Sequence, residues 1–362
     1  MKKIYPLLLD SMTPESTASN GFLKDNSLDD LIETYMGNLL GDKVFTFFQG
    51  NLPVTLEIKE ENGRNKRGNI FVSPDDQTAL PRYGCWGKER MIYILSAGKD
   101  SSIWIGFEKS LTATGIYERC QEGTILEAMN EIAPEEGETF YIRPGVPFCI
   151  GKGVKYVDLS QNSPVVFNIE DMEQLVEALD FINLDSYIPE YIAPEDCLFR
   201  MERVAITKPQ TIAPDQTESF MAIINLDNQT SLRVKDLRGL PETTEENFLD
   251  LKSNAKDSDS GFMALIPHDI QELTISPSQG GENPTSSFLR IYMCNVPEPP
   301  KEDDAEEDSH DEHCHDEHCH DGHCHDEHCH DGHCHDEHCH DGHCHDGHCH
   351  DGHCHDSKRY LN

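Results

Sequence analysis

The chain has 362 residues and a formal net charge of -38, which allows two domains and makes the body repel a phosphate backbone. Nucleic acid is therefore excluded as a partner. The opening MKKIYPLLLD holds only a short apolar run broken by Pro6, and no later run is long enough to span a bilayer, so a cytoplasmic protein with no membrane partner is expected.

Residues Ile4 to Asn26 read as an irregular lead-in. A helix is predicted from Ser27, where Ser27 and Asp30 form a capping box. Leu28, Leu31, Ile32, Tyr35, Met36 and Leu39 share its apolar face, and Gly41 supplies its left-handed cap. Short apolar runs bounded by Gly, Pro, Asn and Asp then predict strands over Pro53–Lys59, Gly68–Val72, Arg90–Leu95 and Ser102–Phe107. The turn SAGKDSS (Ser96–Ser102) resembles the phosphate loop of ATP pyrophosphatases. Such a loop needs a following helix, and IWIGF is a strand pattern, so a hairpin turn fits better.

Short helices are expected over Thr112–Ile132, the second started by Thr124 with Glu127. Strands return at Thr139–Ile142, Val154–Leu159 and Val165–Ile169, followed by a helix from Glu170 to Asn183. From Cys197 to Val296 the pattern is again all-β, a second and smaller barrel without evident chemistry; His268 reads as a turn histidine. PEPPKEDDAEEDS (Pro297–Ser309) is an extended acidic linker. Of the 14 cysteines, Cys85, Cys120, Cys149, Cys197 and Cys294 are scattered through the body without a C-x-x-C pair, which reads as reduced thiols.

GNLPVTLEIKE, IFVSPDD, GKERMIYIL, FYIRPGVPFCIGKG and SQNSPVVFNIED together resemble, in that order, the type I phosphomannose isomerases, zinc-dependent cupins whose matching strings run GxFPLLVKI, QVHPDD, GKTExWY, PAGTxHAIGxG and TYRxYD. The resemblance implies a mainly β fold of two cupin barrels with a few helices. It places a cupin domain with its N-terminal helix and helical insertion at 1–172, a connecting helix at 173–194 and a second cupin-like domain at 195–296. The linker at 297–309 and a disordered tail at 310–362 complete the chain.

The resemblance also implies a metal site that this chain does not repeat. The family's Gln position is Phe71 and its first His position is Ser73. Its Glu position is Arg90, its second His position is Phe148, and its catalytic Arg position is Asn168. Lys88, near the substrate in the family, matches. Glu89 and Cys149 adjoin two substituted positions, but a one-residue slip turns a strand side chain to the opposite face. No catalytic metal is expected in the barrel. Phe71 and Phe148 are expected to fill the pocket, and Lys88 and Arg90 to contact a sugar or sugar phosphate.

The tail is nine pentads, His-Cys-His-Asp followed by Glu, Gly or finally Ser. Its ligand array is His313, Cys314, His315, His318, Cys319, His320, His323, Cys324, His325, His328, Cys329, His330, His333, Cys334, His335, His338, Cys339, His340, His343, Cys344, His345, His348, Cys349, His350, His353, Cys354 and His355. A period of five matches neither helix nor strand, so no apolar face forms. Imidazole and thiolate together suit divalent zinc or nickel, and also cobalt or copper(I). The resulting expectation is a non-catalytic sugar-phosphate-binding relative of the isomerases with a metal-binding tail. Two alternatives stay open: an active mannose-6-phosphate isomerase with a rearranged site, and a metal-storage protein carried by a cupin body. For the tail a further alternative stays open, a tolerated repeat expansion.

Overall fold

Alternating side chains sort the first half of the chain into two facing sheets. The computed structural model describes residues 4–62, 67–212, 219–226, 232–236, 248–252, 262–270, 272–277 and 285–298. The linker from residue 299 onward and every metal ligand expected in the tail lie outside the described residues. In the front sheet Val54–Glu60, Val154–Gln161, Arg90–Ala97 and Thr139–Ile142 pair antiparallel in that order. In the back sheet the order is Phe167–Asn168, Phe71–Val72, Phe148–Ile150, Ile103–Phe107 and Met129–Ile132. Ile92, Ile94, Ile103, Ile105, Phe140, Ile142, Phe148 and Ile150 meet between the sheets.

The opposite face of the front sheet is buried as well. Met91, Tyr93, Leu95, Val157 and Leu159 join a core with Leu31, Phe48, Phe199, Ile224, Leu289 and Ile291. Burial on both faces explains why RMIYIL is a continuous apolar run rather than an alternating one.

The second half also forms two sheets. One runs Leu7–Leu9, Met263–Ile266, Met221–Asn225, Ser286–Met293, Phe199–Ile206. The other runs Gln210–Ile212, Leu273–Pro277, Leu232–Asp236, Phe248–Leu251. Their shared interior gathers Met221, Ile223, Val234, Leu251, Ile266, Ile275 and Phe288. The mainly β, two-barrel expectation holds.

Several local expectations need correction. The lead-in contains a strand: Leu7–Leu9 pairs with Met263–Ile266 of the second half, a contact that local periodicity cannot announce. The first helix breaks into Leu28–Tyr35, Gly37–Leu40 and Asp42–Phe47. Ser27 caps it as predicted, accepting from the Asp30 amide at 3.1 Å and donating to the Asp30 carboxylate at 2.7 Å. Met36 takes φ 48 and is exposed, which bends the chain there, and the Asp42 carboxylate fills the space where a Cβ on Gly37 would sit, 1.8 Å from its Oδ1.

Ser96–Ser102 is not a hairpin turn, because the strands it joins belong to different sheets; it crosses from front to back, with Ser101 Oγ donating to Lys152 O at 2.7 Å. Thr124 makes no side-chain cap, and Met129–Ile132 is a strand rather than helix. The helix after Ile169 spans only Met172–Ala178, capped by Asp171, and leaves Val176 exposed. His268 lies in a turn, its amide donating to Leu39 O at 3.0 Å. Cys85, Cys120, Cys149, Cys197 and Cys294 form no disulfide.

Candidate functional site

Three front-sheet strands turn polar side chains toward the barrel interior. The cross-strand rows Arg90–Ser160–Thr55, Ile92–Asp158–Glu57 and Ile94–Tyr156–Lys59 share one face, because residues directly opposite in an antiparallel ladder point the same way. Their neighbours Val54, Leu56, Met91, Val157 and Leu159 point to the other core. The interior is thus apolar around Ile92, Ile94 and Phe140 and charged around Arg90 and Asp158.

Asp158 is the centre of the charged part. It is 2 % exposed, and Arg90 donates to both of its carboxylate oxygens while Lys59 Nζ donates to Oδ2 at 2.7 Å. Lys59 also pairs with Glu57 at 2.8 Å. Burial by itself would raise the Asp158 pKa, but Arg90 and Lys59 outweigh it and hold the carboxyl below its ordinary range. Lys59 loses some affinity for its proton through burial and regains more from Asp158, ending above its usual value.

The Arg90 guanidinium also lies over Phe148, 4.9 Å from the ring centroid. Phe148 stands directly opposite Phe71 on the back sheet, with ring centroids 6.3 Å apart. Lys88, two residues before Arg90, donates through Nζ to Gln161 O at 3.0 Å and Ser163 O at 2.8 Å. Burial first, and the Arg90 charge second, push its pKa down to about 8. Arg90 and Lys59 are thus balanced by Asp158 and Glu57, and Lys88 in its protonated form adds one positive charge that suits an anion.

The structure brings Phe71, Phe148 and Arg90 together, with Lys88 close to Arg90, and gives Ser73 and Asn168 backbone-bonding roles. Ser73 is buried, and its carbonyl accepts from the Gly145 amide at 2.8 Å. Asn168 stands opposite Phe71, but its side-chain oxygen accepts from the Glu170 amide at 3.1 Å and so serves the turn into the next helix. Glu89 faces the opposite way from Arg90: Cys197 Sγ donates to Glu89 Oε2 at 3.2 Å, and Tyr141 hydrogen-bonds the same carboxyl. Burial, followed by neighbouring acids, raises the Glu89 pKa. Cys149 packs with Ile70, Val72 and Phe167, donates to Gly68 O at 3.4 Å, and is pushed up to about 12 by burial. No bulge rescues Glu89, because the ladder is regular from Arg90 to Ile94 and shifts only between Ile94 and Ser96.

A divalent ion does not fit these side chains. The guanidinium and two phenyl rings offer no donor, and Asp158 is engaged by two cations. Among the described residues no group of three or more His, Cys, Asp or Glu side chains gathers to hold a metal.

Asp158, Lys59, Glu57 and Tyr156 were missed by sequence reasoning. Their alternation with Val54, Leu56, Val157 and Leu159 was legible, but a polar strand face is ordinarily turned to solvent. Only the second layer of strands shows that here it faces inward.

No protein-family model matches the chain. Among curated proteins it is 25% identical over 159 residues to a mannose-6-phosphate isomerase of Streptococcus mutans, covering 44% of this chain and 48% of that protein. It is also 25% identical over 164 residues to the mannose-6-phosphate isomerase ManA of Bacillus subtilis, again covering 44% and 48%. The chain spans about half the length of the curated relatives it matches. Among solved structures it resembles the mannose 6-phosphate isomerase from Bacillus subtilis, with a TM-score of 0.57, 18% identity, and 76% of this chain and 85% of that one covered. A phosphomannose isomerase variant from Salmonella typhimurium gives a TM-score of 0.57 at 13% identity, covering 80% and 91%. At these identities the structures show a shared fold. No helix among the described residues is long and apolar enough to cross a membrane.

Proposed function

We propose that the first barrel binds a sugar phosphate or a similar small anion and does not carry out zinc-dependent isomerisation. The observation that carries this reading is Arg90. Its guanidinium is buried in the barrel interior, paired with Asp158 and stacked on Phe148, at the position where the resemblance puts a carboxylate ligand. A zinc aldose–ketose isomerase needs the ion to polarise the sugar oxygens, and a fixed guanidinium among aromatic rings repels that ion. The same guanidinium, with Lys88 and Lys59, supplies donors for phosphate or hydroxyl oxygens. The curated relatives are named for mannose 6-phosphate, which makes that sugar phosphate and its ketose partner the first ligands to try.

The test is a calorimetric titration with mannose 6-phosphate and fructose 6-phosphate, beside a turnover assay with zinc supplied. Saturable binding without turnover is the expected result. Conversion at an enzyme-like rate would establish the alternative, an active mannose-6-phosphate isomerase with a different ligand set. Absence of binding to either sugar overturns the site.

We propose separately that the pentad tail binds zinc or nickel through its imidazoles and thiolates, on the order of six or seven four-coordinate ions at most. The repeating His-Cys-His unit supports this reading. Retention should weaken as pH falls through the histidine range, since protons compete for the same nitrogens. Equal zinc retention at about pH 5 and about pH 7.5 would remove imidazole ligation from the account. Deleting the tail separates a sugar binder, which keeps its binding, from a metal store, which loses its function.

A further inference from the structure

Lys88 has a setting unlike that of the chain's surface lysines. Two backbone carbonyls, of Gln161 and Ser163, hold its Nζ in place, and no carboxylate pairs with it in the described hydrogen bonds. Arg90 lies two residues on, at the start of the strand, and the two acids close enough to act on Lys88 through space are already engaged, Asp158 by Arg90 and Lys59 and Glu57 by Lys59. Two oriented acceptors make a directed amine beside Arg90 and Lys59, whose remaining N–H donors can turn to an anion.

We propose that Lys88 forms a reversible imine with the aldehyde of a small phosphorylated aldehyde, the open-chain phosphosugars being the natural class. The proposal rests on the anion-binding reading of the same interior. Arg90 and Lys59 take the phosphate, and the neutral Lys88 amine attacks the aldehyde carbon. The carbon–nitrogen double bond forms while the aldehyde oxygen leaves as water with the two hydrogens of the amine, so no oxidant or reductant is needed. The lowered affinity of Lys88 for its proton leaves a usable share of neutral amine near pH 8, whereas an exposed lysine is almost wholly protonated there. Short phosphorylated aldehydes that cannot close into a ring should bind best, because ring closure hides the carbonyl.

The test uses the full chain and pyridoxal 5′-phosphate as probe, with borohydride to freeze any imine as a secondary amine and peptide mass mapping to locate it. Unphosphorylated pyridoxal is run in parallel. Lys88 should be labelled on the order of tenfold faster than the exposed Lys99 and Lys109, and inorganic phosphate should slow that labelling. Equal rates at Lys88, Lys99 and Lys109 in the unaltered protein overturn the proposal without recourse to a variant. Fast labelling of Lys88 by both probes, unaffected by phosphate, supports the imine and overturns the anion site beneath it. Lys88→Arg keeps the charge and should abolish the fast phase. Arg90→Gln should remove the preference for the phosphorylated probe while pyridoxal still reacts.

Discussion

The two barrels share a plan and differ in what they enclose. The interior of the second gathers Met221, Ile223, Leu232, Val234, Ile266, Leu273, Ile275 and Phe288, and the ion pair on the same sheet face, Arg290 with Glu202, is only half-buried. The interior of the first holds Arg90 and Asp158, both under a tenth exposed, with Lys59 and Lys88 at hand. Taking such charges from water costs several kcal/mol each before any pairing returns it, and an apolar filling of equal volume is often as stable or more so. Among the described residues the second barrel encloses no charge to that depth, so the deep burial of Arg90 and Asp158 is not a requirement of this architecture. That contrast is the physical reason to look for function in the first barrel.

The sharpest way to break the contrast is to uncouple the charges. Asp158→Asn leaves Arg90 buried without its acid, and Lys59 with Glu57 alone, and should cost about 3–5 kcal/mol by denaturant unfolding. The same contribution should vanish in the unaltered protein in acid: the folded Asp158 pKa lies below the ordinary carboxyl value of 3.8, so the stabilisation is present above that value and lost as pH falls through the folded one. On the other side of the comparison, Ile275→Ala empties part of an apolar interior and should cost about 2–5 kcal/mol while sugar-phosphate affinity, measured by calorimetry, stays where it was. A fall in affinity there would mean that the barrels are not separable in function.

Smaller effects sharpen the picture through pH. Lys88 holds its proton less tightly when folded, so from about pH 8 up to its ordinary 10.5 the folded chain binds fewer protons than the unfolded one. Stability should rise with pH across that window, and in Lys88→Met that rise should be missing from matched unfolding curves. Glu89 has the opposite linkage. Its carboxyl is raised by burial, so its cost appears as pH climbs past the unfolded range near 4.5. Glu89→Gln should be neutral to slightly stabilising at neutral pH, by about 1 kcal/mol at most, and should lose that advantage near pH 4. A large loss at neutral pH would show that the charge itself is needed between Cys197 and Tyr141.

Strand runs such as VTLEIKE and RMIYIL, the Ser27 cap and the two-barrel plan were legible in the chain, because period and capping are local properties. The opposed faces of Arg90 and Glu89 were legible too, since strand geometry leaves no other choice. The partner of Arg90 was not. Asp158 lies far along the chain, and only the register that sets Ile92 against Asp158 and Arg90 against Ser160 brings them side by side. The break at Met36 was hidden for a similar reason: the apolar spacing runs straight through it, and its positive φ shows only in three dimensions.

The pairing of Leu7–Leu9 with Met263–Ile266 has a consequence for how the protein is made. Translation delivers Leu7–Leu9 long before Met263–Ile266, with nearly all of the first barrel made in between. During that interval a strongly apolar strand lacks its native neighbour, so the second barrel cannot mature as an independent late event, and the nascent chain carries an adhesive strand. Chaperone demand and expression temperature should therefore depend on Leu7, Leu8 and Leu9 well beyond what three residues at a sheet edge would suggest.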